Sequence, residues 1–112
     1  MIAVIFEVEP APGAMEQYLE HAARLRPHLE KIDGFISVER FASLTTPGKY
    51  LSVSFWRDEK ALTAWRREAY HRLAQHKGRT EMFAGYRLRV AHVLRDYGMH
   101  ERAEAPEDAL VL

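Results

Sequence analysis

The first eight residues, MIAVIFEV, are apolar on both sides of an extended chain: Ile2, Val4, Phe6 and Val8 share one face, and Ala3, Ile5 and Glu7 the other. A strand of this kind needs cover on both faces, so the fold must supply a layer on each side of it. Glu9 to Gly13 (EPAPG) then ends the strand with two prolines and a glycine. From Met15 to Ile32 the apolar residues Met15, Tyr18, Leu19, Ala22, Leu25, Leu29 and Ile32 recur at spacings of three and four, which predicts an amphipathic helix. Pro27 is expected to kink its last turns.

Asp33 and Gly34 close that helix. Phe35 to Leu44 follows as a strand, with Phe35, Ser37, Glu39 and Phe41 opposite Ile36, Val38 and Arg40. A turn at Thr45 to Gly48 leads into the strand Tyr50 to Trp56, so the two strands form a hairpin. Asp58 is a suitable N-cap for a helix to about Glu68. A second helical piece carries Tyr70, Leu73 and Ala74 and is closed by Gly78. Tyr86 to Asp96 alternates as a last strand, with Tyr86, Leu88, Val90, His92 and Leu94 on one face. Residues 1–97 read as one domain and residues 98–112 as a loose, Pro-containing C-terminal tail.

The order strand, helix, strand, strand, helix, strand predicts an α+β, ferredoxin-like βαββαβ domain: a four-stranded antiparallel sheet with both helices on one face. The other face is left with large apolar side chains, and a second copy of the chain is the economical cover. A chain of 112 residues buries only about two thirds of its unfolded surface, which adds to the case for a homodimer.

Composition removes several classes of function. Lys plus Arg and Asp plus Glu balance at 16 each, so a general nucleic-acid surface is not expected. There are no cysteines, which excludes disulfides, thiolate metal sites and a Cys nucleophile. The N-terminal apolar run is too short for a membrane span and reaches an acidic residue at Glu7; a cytoplasmic protein without a membrane partner is the expectation. No GxGxxG, P-loop, GxSxG or HExxH pattern occurs.

Asp33-Gly34-Phe35, the run Phe55-Trp56-Arg57-Asp58-Glu59-Lys60-Ala61-Leu62, Trp65 and the strand near Tyr86 to Val93 resemble the antibiotic biosynthesis monooxygenase family over about Met1 to Tyr97. The resemblance implies a dimeric α+β barrel with a pocket in each subunit between the sheet and the second-half helices. One branch of the family oxidises aromatic substrates to quinones without a bound cofactor. Trp56 matches its pocket tryptophan, while its Asn falls on Ser52 and its Tyr on Leu62. Another branch degrades haem with an Asn, a Trp and an iron-ligating His. Trp65 matches that Trp, Phe6 stands at the Asn position, and His76 lies one residue beyond the expected His spacing.

His71 and His76 stand five apart, about 140 degrees around a helix, so they do not form a two-His metal face, and no metal site is expected. His76 and His92 are the candidate bases, since an imidazole titrates near neutrality. His92 on an apolar strand face also suits a hydrogen-bonded structural role. Ser52 is the candidate donor to developing oxyanion charge. Trp56, Trp65, Phe6 and Tyr86 are candidates for holding a small hydrophobic or aromatic ligand, although aromatics at these spacings equally suit an ordinary core. Glu7, inside the first strand, needs a cationic partner if buried, with Arg87 or Arg89 the natural choice. The expected activity is a cofactor-independent monooxygenase acting on an aromatic or quinone-like molecule. The alternatives are a non-catalytic dimeric binding module, or a haem binder or degrader in which haem sits on His76.

Overall fold

The computed structural model describes residues 1–74, 82–110 and 112. Its elements are β1 (Ile2–Pro10), α1 (Met15–Leu29), β2 (Phe35–Ala42), β3 (Tyr50–Trp56), α2 (Glu59–Ala74) and β4 (Phe83–His92). The strands form one sheet in the order β2-β3-β1-β4, every neighbouring pair antiparallel. This is the βαββαβ arrangement expected from the periodicities.

β1 is paired along both edges. It meets β3 from Ile2 opposite Trp56 to Val8 opposite Tyr50, and β4 from Ile2 opposite His92 to Pro10 opposite Phe83. Residues side by side in a sheet point to the same face, so this register fixes two sets. Val4, Phe6 and Val8 stand beside Ser54, Ser52 and Tyr50 on one side, and beside Val90, Leu88 and Tyr86 on the other. This face meets the helices: Ile2, Val4, Leu29, Trp56 and Ala61 form one buried cluster, and Val8, Ala14, Tyr18 and Met82 another. The opposite face carries Ala3, Ile5 and Glu7 beside Phe55, Val53 and Leu51. There Glu7 lies 3.4 Å from Arg89 and 3.6 Å from Lys49, so Arg89 is the partner in β4, with a second cation from the β2–β3 turn.

Several details depart from simple periodicity. In β2 the pairing steps from Phe35 opposite Trp56 to Ser37 opposite Phe55, leaving Ile36 as an extra, 52% exposed residue. The bulge resets the alternation, so Phe35 packs with Val38 against the core instead of opposite it. α2 is one continuous helix rather than two pieces, and β4 begins three residues earlier than Tyr86 and stops at His92, leaving Arg95 outside it. The segment after Tyr97 is not a bare tail: Arg102 donates to the carbonyls of Gly98 and Ala109 and lies over the Tyr97 ring, whose hydroxyl donates to the Leu112 carbonyl.

The run from Asp33 to Phe35 and the run from Trp56 to Ala61 meet in a polar clasp. Gly34 has φ of +95°, and a Cβ there would stand 2.7 Å from the Ala61 side chain, so glycine is required both by conformation and by space. Its carbonyl accepts from the Arg57 amide at 2.7 Å. The Arg57 guanidinium donates to both Asp33 oxygens, at 3.1 and 3.3 Å, and through Nε to Asp58. Asp58 in turn caps α2 by accepting from the Ala61 amide at 2.9 Å. The clasp joins the start of β2 to the start of α2 and so sets where α2 crosses the sheet.

Arg57 holds the Asp33 carboxyl below its ordinary value of 3.8, and the Ala61 amide, with Arg57, does the same for Asp58. A carboxylate with a lowered folded-state pKa stabilises the fold above its unfolded pKa, and this contribution is lost as pH falls through the folded value. Asp33→Asn and Asp58→Ala are therefore expected to lower the melting temperature at pH 7. The gap to the parent should narrow steadily below about pH 4. A gap that stays constant from pH 7 to pH 3 would show that the ionised clasp contributes nothing.

Candidate functional site

Between the two buried clusters lies a cavity of about 570 Å³, bounded by the sheet below and both helices above. Its floor comes from the helix-facing residues of all four strands, including Val4 and Phe6, Val38 and Arg40, Ser52, Ser54 and Trp56, and Tyr86 and Leu88. Its roof comes from one stripe of α1, Tyr18, His21, Ala22, Leu25 and Leu29, and from Trp65 and Ala69 of α2. Met82 and Phe83 close it at the start of β4. The site exists because the period-two face of the sheet and the three-and-four stripe of α1 oppose each other without meeting in the middle.

The aromatic end is built around Phe83. Its ring meets Phe6 at 5.9 Å, Tyr18 at 5.8 Å and Tyr86 at 6.0 Å, all edge to face, and Phe6 lies 5.7 Å from Tyr86. Such edge contacts hold rings in place and leave faces for an apolar guest. At the other end Trp56 is 1% exposed, edge-on to Phe35 at 5.3 Å, and its Nε1 donates to the Ser54 hydroxyl at 2.9 Å. That bond fixes the indole plane against the cavity wall. Ser52 stands in register between Arg40 and Phe6, and its hydroxyl makes no hydrogen bond to another described side chain. Arg40 donates through Nε to the Tyr18 hydroxyl at 3.4 Å, with its guanidinium 5.8 Å from the centre of the Tyr18 ring.

Of the residues singled out in the sequence, Ser52, Trp56, Trp65, Phe6 and Tyr86 are brought to this one cavity. His92 is not: it ends β4 beside Ile2, is exposed and forms no part of the lining. His76 lies outside the described residues. The histidine that does line the described cavity is His21, which periodicity alone places there: three after Tyr18 and four before Leu25, it is a polar residue within the apolar stripe. Arg40, Tyr18 and Phe83 were likewise not singled out. Among the described residues no group of three or more His, Asp or Glu side chains gathers as a metal site, and no helix is long and apolar enough to cross a membrane.

A four-stranded antiparallel sheet with two helices over one face and a cavity between them is an α+β, ferredoxin-like domain, the architecture expected of the antibiotic biosynthesis monooxygenase family. The chain belongs to that family, whose profile matches residues 1–77. A Pyricularia oryzae protein named Jasmonate monooxygenase ABM is 53% identical over 93 residues, which are 83% of this chain and 43% of that protein. The Bacillus subtilis protein YqjZ, uncharacterised, is 33% identical over 76 residues, 68% of this chain and 65% of that one. The chain thus spans less than two thirds of the length of either relative. Among solved structures, the haem degrader MhuD of Mycobacterium tuberculosis, with two haems bound in its active site, aligns with a TM-score of 0.70 at 22% identity, over 88% of this chain and 100% of that one. At that identity the likeness concerns the fold.

Proposed function

We propose that the chain is a cofactor-independent monooxygenase that oxidises a small aromatic or quinone-like molecule held in the cavity between sheet and helices. The observation that carries this reading is the cavity itself, in which Trp56, Trp65, Phe6 and Tyr86 surround a space with Ser52 on its floor and His21 on its roof. Family membership and the 53% identity to a protein named a monooxygenase support the reaction type. For a phenolic substrate, one atom of O2 replaces a ring hydrogen and becomes the second quinone oxygen. The other leaves as water with the two hydrogens lost from ring carbon and hydroxyl. The substrate supplies all four electrons, so the protein needs no redox group of its own. His21 takes the hydroxyl proton, and Ser52 donates to the developing oxyanion.

Haem degradation finds less support in these residues. Phe6, at the position of that branch's Asn, packs edge-on to Phe83 and offers no hydrogen bond to a bound oxygen.

In solution the unit is a homodimer on this reading, formed by the sheet face away from the helices. That face carries Ile5, Leu51, Val53 and Phe55, with Phe41 45% exposed at its edge. Val53→Glu places a charge in the middle of it. The parent is expected to elute from size exclusion at twice the chain mass and the variant at the chain mass. A monomeric parent would overturn the dimer.

Activity is tested by oxygen uptake on hydroxynaphthalenes with metal-free, flavin-free protein. Uptake matched one to one by quinone formation is expected, and His21→Ala and Ser52→Ala should each lower turnover by about 10²-fold or more. Binding without uptake would instead identify a non-catalytic binding module. Uptake untouched by either substitution would remove both residues from the mechanism.

A further inference from the structure

Among the described residues, the charges that line the cavity are one-sided: Arg40 is the single permanent cation and there is no Asp or Glu. Arg40 also makes no ion pair with any described carboxylate, although acidic side chains are as numerous in the chain as basic ones. Among the described residues its one side-chain hydrogen bond runs from Nε to the hydroxyl of Tyr18, a residue 5% exposed, and its guanidinium rests over the Tyr18 ring. The side chain is thereby oriented while its terminal nitrogens, the pair that grips a carboxylate in a fork, are left unused.

The sheet register places this cation at one end of a polarity gradient. Arg40, Ser52, Phe6 and Leu88 lie side by side across four strands. At about 4.8 Å between strands, the Arg40 and Phe6 backbones stand roughly 10 Å apart. Along this row the floor runs from a cationic and a hydroxyl-bearing side chain, Arg40 and Ser52, to the apolar Phe6 and Leu88.

We propose that Arg40 makes this cavity selective for ring-bearing carboxylic acids, the carboxylate meeting Arg40 and the ring lying on the Phe6 and Phe83 side. This rests on the reading of the cavity as the ligand site and adds the charge of the ligand to it. Arg40 is a specificity residue on this account and not a base or donor in the oxidation.

The test compares 1-naphthylacetate with the neutral 1-naphthylacetamide, followed by quenching of the chain's two tryptophans, Trp56 and Trp65, both of which line the cavity. At pH 8 an ordinary histidine is neutral, so charge preference reports on arginine. The acid should bind at least tenfold more tightly than the amide. Arg40→Gln should abolish that preference while leaving the amide's affinity unchanged, and Arg40→Lys should keep part of it. Equal binding of acid and amide by the parent, or a preference that survives in Arg40→Gln, overturns the anion selectivity alone. An equal loss for both ligands in Arg40→Gln overturns it too, and assigns Arg40 to propping Tyr18. Quenching by neither ligand counts against the cavity as a ligand site, and the selectivity falls with it.

Discussion

The structure hangs on β1. This strand is apolar on both faces and hydrogen-bonded on both edges, and Ile2, Ala3, Val4 and Val8 are each less than 9% exposed. Its two registers decide which residues of β3 and β4 face the helices. Trp56, Ser54 and Ser52 arrive on the cavity floor because Ile2, Val4 and Phe6 are there beside them. A slip of one residue would send all of them to the opposite face. Glu7, on that opposite face, adds a polar lock by engaging Lys49 and Arg89 from its two neighbours' sides.

Element order was legible because each segment has a clean period: two for the strands, three and four for the helices. What period does not carry is a change of phase. Ile36 reads as a normal member of an alternating strand, yet it is the extra residue of a bulge, and Phe35 therefore turns inward with Val38. The boundaries of β4 were missed for a related reason. Phe83 and Met82 precede the clearest alternation but are held by tertiary packing against Phe6, Tyr18 and Val8. Arg102, which gathers the C-terminal segment through carbonyls and the Tyr97 ring, has no local signature, because any arginine in a polar segment looks the same in sequence.

The residues that look most like the family have two different jobs. Asp33, Gly34, Arg57 and Asp58 form the clasp that positions α2 and lie away from the cavity lining, whereas Trp56 and Trp65, interleaved with them in sequence, line it. The aromatic part of the site could be read from side-chain type and spacing. Its polar part could be read only in part. His92 has the right strand face but lies at the strand's end, beyond the cavity. His21 was within reach of periodicity, as a polar residue inside the apolar stripe of α1, whereas Arg40 reaches the cavity from an edge strand, where a charged residue ordinarily faces water.

One measurement bears on whether chemistry takes place in this space at all. Ala22 lines the roof from α1 without belonging to either buried cluster, so Ala22→Phe fills the cavity and removes no contact from the core. Oxygen uptake on a ring substrate should be lost in this variant while its melting temperature is kept or raised. Undiminished uptake by a variant that folds as the parent does would contradict the assignment of the reaction to the cavity.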